Sequence, residues 1–368
     1  MKVLRIFHGG GVPAYQRRDE ELAALGHDVH LLVPKVFREL PTATVALRRN
    51  DSIKVTPIGL YGLRRNPFFF YNPFRIAASM LKFRADVIDI HEEPYSLAAM
   101  SILIGRSLAR SRARVIFRSS QNEYKRYPFP FSAFQSYVFR VSAEAYVPSA
   151  QAAEVLRQKN FRRPITVVGN GVAVPKEPRV DSSPADILEV VCVGRLIERK
   201  GVQDLVAAVA KCQRHVNLTL VGTGPLESGL RARVAELPSL AGRITFTGAV
   251  SIDEAAAIMR RSDVICVPSH ELEGWSEQFS RALVEGMANY CVPLVSDSGA
   301  LPEISGGITE PFRWGNVEDL RLRLDELALS DELKELQNSA HERAVQQYSW
   351  EATSLRISEI YERVVQGS

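Results

Sequence analysis

The chain has 368 residues, 46% of them hydrophobic, too many for one ordinary core and suited to two globular domains. Its 46 basic and 42 acidic residues leave a net charge of +4, too small an excess for a nucleic-acid footprint without a localised stripe. No apolar run approaches the ~20 residues that span a bilayer, and the N-terminal strand pattern before HGGG is shorter than a secretory signal core.

Short aliphatic runs alternate with longer helical patterns along the chain. Residues 3–7, 28–33, 53–58, 87–91, 115–118, 145–147 and 165–168 read as strands, several near-continuously apolar as in buried parallel sheets. A second series follows at 190–194, 218–221, 244–247, 264–267 and 293–296, each running into a helical pattern. The class is therefore α/β, with two doubly wound halves. Between them GVAVPKEPRVDSSPAD, residues 171–186, is rich in Pro, Ser and charge and reads as a linker. The expected organisation is a first domain over 1–170, this linker, a second domain over 187–348 and a closing helix over 349–368. Cys192, Cys212, Cys266 and Cys291 lie far apart in apolar segments without metal or redox spacing, and read as reduced core thiols of a cytoplasmic protein.

Parallel sheets of this kind bind ligands beyond the carboxyl ends of their strands. After the first strand stands His8-Gly9-Gly10-Gly11, which suits either an anion approached by backbone N–H groups or a tight strand-to-helix turn. His91 ends the fourth strand, and the fifth runs into Ser119, Ser120, Gln121 and Asn122, neutral groups suited to a second substrate's hydroxyls. In the second half Arg195 leaves a strand end and Lys200 opens a helix, so two cations can converge where a diphosphate would sit, with Glu198 and Arg199 facing solvent. The small-residue turn from Gly222 through Gly224 and Pro225 to Leu226, and Ala249 after the next strand, leave room for a flat nucleobase.

The stretch SEQFSRALVEGMA carries most of the chemistry. A helix starting near Ser276 would place Phe279, Leu283 and Met287 on one apolar stripe, with Glu277 and Glu285 off it, two turns and about 12 Å apart. Both glutamates are either solvated helix charges or ligands for the two ends of an elongated molecule whose central anion meets the helix N-terminus.

Taken together, VGRLIERKG, VGTGP, SEQFSRALVEGMA, IHEEP, the NGV before the linker and the closing YSWEATSLRISEIYERVV resemble the family 4 retaining glycosyltransferases over nearly the whole chain. The resemblance implies the GT-B fold, two Rossmann-like domains facing across a cleft with the last helix crossing back onto the first. It implies transfer of a hexosyl or N-acetylhexosaminyl group from a UDP- or GDP-sugar to a hydroxyl, without metal or cofactor. Glu277 would hold donor-sugar hydroxyls, Glu285 the ribose, Arg195 with Lys200 the diphosphate, and His91 would lie against the sugar. Gly10, Gly11, Phe279, Ser280 and Arg281 would complete the donor site, and Ser119, Gln121 and Asn122 the acceptor site.

Departures from the family pattern raise particular expectations. Ser280 replaces a glycine, so its hydroxyl would reach the sugar; Tyr290 replaces another, so Asn289 would turn left-handed to end the helix. Asp89 is given no role. The absence of any Asp-x-Asp agrees with a metal-free reaction. A non-catalytic sugar-nucleotide or partner-binding protein is the alternative, and pyridoxal-dependent phosphorolysis would need a second motif lysine that is absent. Residues 63–75 and 124–140 mix phenylalanines, prolines and cations that resist regular packing, and point to peripheral contact with an anionic inner membrane surface and a lipid-linked or saccharide acceptor of the cell envelope.

Overall fold

A computed structural model describes residues 1–35, 52–63, 67–175, 179 and 187–367. The chain divides into two compact units, Met1–Gly171 with Trp350–Ser368, and Val172–Ser349. Of the predicted linker, residues 176–178 and 180–186 lie outside the described residues, as do Arg64, Arg65 and Asn66 of the first aromatic segment. Val172, by contrast, is buried and bridges to Ser349.

The first unit carries β1 (Lys2–Ile6), α1 (Pro13–Ala24), β2 (Asp28–Pro34), β3 (Lys54–Ile58), β4 (Leu60–Gly62), β5 (Phe69–Tyr71), α2 (Pro73–Phe83), β6 (Val87–Ile90), α3 (Leu97–Leu108), β7 (Arg114–Arg118), α4 (Phe131–Val141), β8 (Glu144–Val147), α5 (Ala150–Gln158) and β9 (Ile165–Val167). Its seven-stranded sheet runs β3-β2-β1-β6-β7-β8-β9, all parallel. Chain order reverses between β1 and β6, and His91 follows β6 at that switch point. The two aromatic segments are more regular than their composition predicted. Residues 69–71 pair antiparallel with β4, Pro73 opens α2 behind an Asn72 cap that accepts from Phe74 and Arg75 N–H groups, and 131–141 form α4. Phe69 and Tyr71 alternate inward onto the core while Phe70 points out, as the two-residue period of a strand requires.

The second unit carries β10 (Ile187–Val193), α6 (Val202–Lys211), β11 (His215–Val221), α7 (Glu227–Glu236), β12 (Ile244–Gly248), α8 (Ile252–Arg260), β13 (Val264–Val267), α9 (Arg281–Ala288), β14 (Val292–Val295), α10 (Leu301–Ser305), α11 (Val317–Leu327) and α12 (Leu333–Tyr348). Its parallel sheet runs β12-β11-β10-β13-β14, with the switch point between β10 and β13. The last helix, α13 (Trp350–Gln366), belongs to the first unit, where Ile357, Ile360 and Tyr361 are fully buried.

Helix α9 begins at Arg281, not near Ser276, because Ser280 caps it by accepting from the Leu283 N–H at 3.3 Å. Leu283, Val284 and Met287 are fully buried against the sheet, each worth about 1.5–3 kcal/mol. At its far end Asn289 keeps an ordinary φ of −94° and Tyr290 itself takes the left-handed conformation at φ 67°. The tyrosine bears that strain by stacking on His341, ring centroids 3.9 Å apart.

Candidate active site

In the second unit the carboxyl ends of β10 and β13 enclose a pocket of about 190 Å³ lined by Arg195, Lys200, Glu277, Phe279, Ser280 and Arg281, with Cys192 and Cys266 at its floor. The location is the switch point, where neither neighbouring connection covers the sheet edge. A larger groove of about 690 Å³ between α6 and α7 is lined mostly by apolar groups and holds none of these charges.

Glu277 stands in the loop before α9, which corrects its predicted helical place, and it is buried. Its Oε2 accepts from Lys200 Nζ at 2.5 Å and from Ser269 Oγ at 2.9 Å. No described residue bonds to its Oε1, which is left to the pocket. Two glycines hold this arrangement. Gly201 follows Lys200 at φ 65°, where a Cβ would stand 1.8 Å from the Pro268 carbonyl oxygen. Gly299, at φ 54°, lets the turn after β14 seat on the Glu277 peptide, whose carbonyl accepts from Ala300 N–H at 2.9 Å.

Arg195 is exposed at the strand end, and among the described residues no carboxylate pairs with it. Arg199 does not simply face solvent: its guanidinium lies over the Trp275 ring at 4.7 Å, with Lys200 over the same ring at 5.7 Å. Glu285 lies further along α9, outside the pocket, and accepts from Arg281 Nε at 3.0 Å; burial raises its pKa, opposed by Arg281. The Ser280 oxygen is engaged in capping, so the replacement of glycine has a helix-starting use that its sequence position did not reveal. Gly222, Gly224 and Pro225 form the turn after β11, stitched to its neighbours by Leu196 N–H to the Thr223 carbonyl at 2.9 Å and Gly222 N–H to the Gly248 carbonyl at 2.8 Å. Ala249 lies exposed just beyond.

In the first unit Gly9, Gly10 and Gly11 are buried in a short 3-10 turn, where Gly10 N–H donates to the Phe7 carbonyl and Gln16 donates to the Gly10 carbonyl at 2.8 Å. Of the two readings of HGGG, this geometry is the tight turn. Ser119 Oγ and Ser120 N–H both donate to half-buried Glu93, at 2.9 and 2.8 Å. Gln121 donates to Tyr127 and accepts from Lys159 at 2.6 Å, and Asn122 is buried. Lys159 lies over the Tyr127 ring, which stacks on Tyr95 at 3.9 Å. Burial pushes its amine down to about 8, against the pull of Glu93. Glu93, Tyr95, Tyr127 and Lys159 were not picked out from the sequence.

His91 is half-buried against Phe7, ring centroids 4.0 Å apart, and its Nδ1 lies 3.0 Å from Arg5 Nη2 and 3.4 Å from Arg18 Nη1. Beneath it Asp89, fully buried, accepts from the hydroxyls of Tyr146 and Tyr361, both at 2.8 Å, and lies 3.8 and 3.6 Å from Arg5 and Arg18. Asp89 is thus the hub of a buried polar cluster. The signal for it was present: Arg5 and Asp89 are single charges inside otherwise apolar strand runs, where an unpaired charge would be prohibitively costly.

Two parallel, doubly wound sheets, and a switch-point pocket lined by cations and a buried carboxylate, define a transferase of GT-B fold acting on a nucleotide sugar. Over residues 188–328 the chain matches the model "Glycosyl transferases group 1", and over 19–174 the model "Glycosyltransferase Family 4". It is 28% identical to the MMP alpha-(1->4)-mannosyltransferase of Mycolicibacterium hassiacum over 97% of this chain and 96% of that protein. It is 32% identical to a phosphatidyl-myo-inositol mannosyltransferase of Mycobacterium leprae, over 54% of this chain and 53% of the relative. The solved sucrose-phosphate synthase of Thermosynechococcus elongatus has the same fold, with a TM-score of 0.75 at 19% identity and full coverage of both chains. The chain belongs to the family 4 glycosyltransferases. Sugar transfer from a nucleotide-sugar donor is its activity, and the non-catalytic alternative finds no support.

Proposed function

We propose that the enzyme transfers a hexosyl or N-acetylhexosaminyl group from a UDP- or GDP-sugar, with retention at the anomeric carbon and without a metal ion, to a lipid-linked or saccharide acceptor of cell-envelope glycolipid or exopolysaccharide synthesis. The observation that carries this reading is the pocket in which Arg195 and Lys200 flank Glu277. As the anomeric bond breaks, negative charge builds on the departing diphosphate, and two preplaced cations stabilise that charge more than they stabilise the intact donor. Glu277 Oε1 is available to a sugar hydroxyl, and by the family's roles Glu285 takes the ribose and His91 a further sugar hydroxyl. A front-face displacement, in which the departing phosphate takes the acceptor proton, accounts for retention without a carboxylate nucleophile.

The acceptor side is read from the first unit. Phe68 packs edge-to-face on Phe131 at 5.6 Å, joining the two aromatic segments, in which Phe70, Phe74 and Phe129 and the cations Arg75, Lys125 and Arg126 all stand exposed. Rings that enter the headgroup zone beside cations suit a cytoplasmic enzyme held peripherally on the inner face of the plasma membrane. No described helix is long and apolar enough to cross a membrane. A panel of UDP- and GDP-sugars, assayed for binding and for donor hydrolysis with the purified protein, tests the donor. An anomeric configuration inverted between donor and product would refute retention.

A further inference from the structure

We propose that Arg5 and Arg18, held by Asp19 and Asp89, are positioning residues for His91: their N–H groups occupy its Nδ1, so the ring keeps its single proton on Nε2 and presents a fixed hydrogen-bond donor. The inference rests on the assignment of His91 to the donor sugar. A guanidinium can only donate, so an Arg5 nitrogen 3.0 Å from Nδ1 requires Nδ1 to accept. Tyr146 lies 3.2 Å from the same nitrogen with its own proton given to Asp89, so its oxygen could only accept from Nδ1, and a proton there would lie against the closer Arg5 N–H. Arg5 in turn donates to Asp19 at 2.6 Å, which holds its guanidinium in place. No described residue bonds to Nε2.

The groups facing His91 come from every element around it: Arg5 of β1, His8 beyond it, Arg18 of α1, Asp89 of β6, Arg118 of β7, Tyr146 of β8 and, through Asp89, Tyr361 of α13. Burial, then Arg5, Arg118 and Arg18, hold the His91 pKa well below its usual value, so the ring stays neutral where an ordinary histidine would begin to charge. An imidazolium would aim its Nδ1–H at a guanidinium. A neutral ring with Nε2–H fixed outward donates to a sugar hydroxyl at any physiological pH, which is the preorganisation a positioned donor needs.

Long-range proton–nitrogen NMR on histidine-labelled protein reads the tautomer directly, with His91 identified by the signals lost in His91→Gln. Wild type should show an unprotonated Nδ1 and a protonated Nε2, unchanged between about pH 8 and pH 5. Arg18→Gln removes one of the two cations at Nδ1 and should move the His91 titration upward, into that window, while Arg5 keeps the proton on Nε2. It should also lower kcat about tenfold to a hundredfold, with an acid limb in the pH profile that wild type lacks and little change in donor KM. Arg18→Lys should restore the flat profile. A proton on wild-type Nδ1, or titration of wild-type His91 between about pH 5 and 8, overturns the inference whether or not the arginine variants fold. Full turnover in His91→Gln with the expected tautomer would overturn instead the role of His91 and the purpose of the cluster.

Discussion

Lys200 and Glu277, 77 residues apart in sequence, meet through Nζ and Oε2 at 2.5 Å in the pocket at the carboxyl ends of β10 and β13. Each preplaces the other: the carboxylate holds the ammonium in the pocket that Arg195 also lines, and the ammonium leaves one carboxylate oxygen for a ligand. Glu277→Gln keeps the shape and removes the charge. The expected result is a fall in kcat on the order of a hundredfold or more, with the fold intact by circular dichroism. Near wild-type turnover would sink the assignment.

Arg195→Ala and Lys200→Ala should each weaken binding of the free nucleoside diphosphate, by about tenfold or more, since charge-assisted contacts are lost. Calorimetry measures this. Lys200→Ala should also impair Glu277, whose buried carboxylate loses its cation, so its effect on kcat should exceed that of Arg195→Ala. Added chelator should leave turnover unchanged; strict dependence on Mg²⁺ or Mn²⁺ would contradict the two-cation account.

Stability of the first unit should fall in mild acid. His30 is buried on β2, bonded to Thr56 at 2.9 Å, and burial with Lys54 and Lys82 nearby pushes its pKa from 6.5 down to about 4. The unfolded chain therefore binds a proton that the folded chain refuses between those values. The folded state's advantage is fully present above 6.5 and is lost as pH falls towards 4, about 2 kcal/mol between pH 7 and pH 5. Hydrogen exchange of β2 amides at the two pH values should show this loss in wild type and a smaller one in His30→Gln. Equal pH dependence in both proteins would remove His30 as its source.

Vesicle co-sedimentation tests the acceptor surface. Anionic liposomes should retain the protein at low salt and release it as salt screens the cations. Phe69 is a core residue, so the variant that should detach replaces Phe68, Phe70, Lys125 and Arg126 together. Wild type left in the supernatant with anionic and neutral vesicles alike would make a soluble acceptor the better assignment.

Local pattern was enough to read the parallel strands and the cations Arg195 and Lys200 at a strand end, because apolar period and chain position set both. It could not place Glu277, since a helix begins where a cap forms, and Ser276 and Ser280 are equally good caps until Leu283 packs and selects the second. Tyr290 could take the strained φ only because His341, far along the chain, supplies a ring to stack on. Asp89 drew no role from its neighbours in sequence, although a carboxylate inside an apolar strand demands partners. Those partners, Arg5, Arg18, Tyr146 and Tyr361, come from four other elements, and only their convergence turns a buried charge from a cost into the support beneath His91.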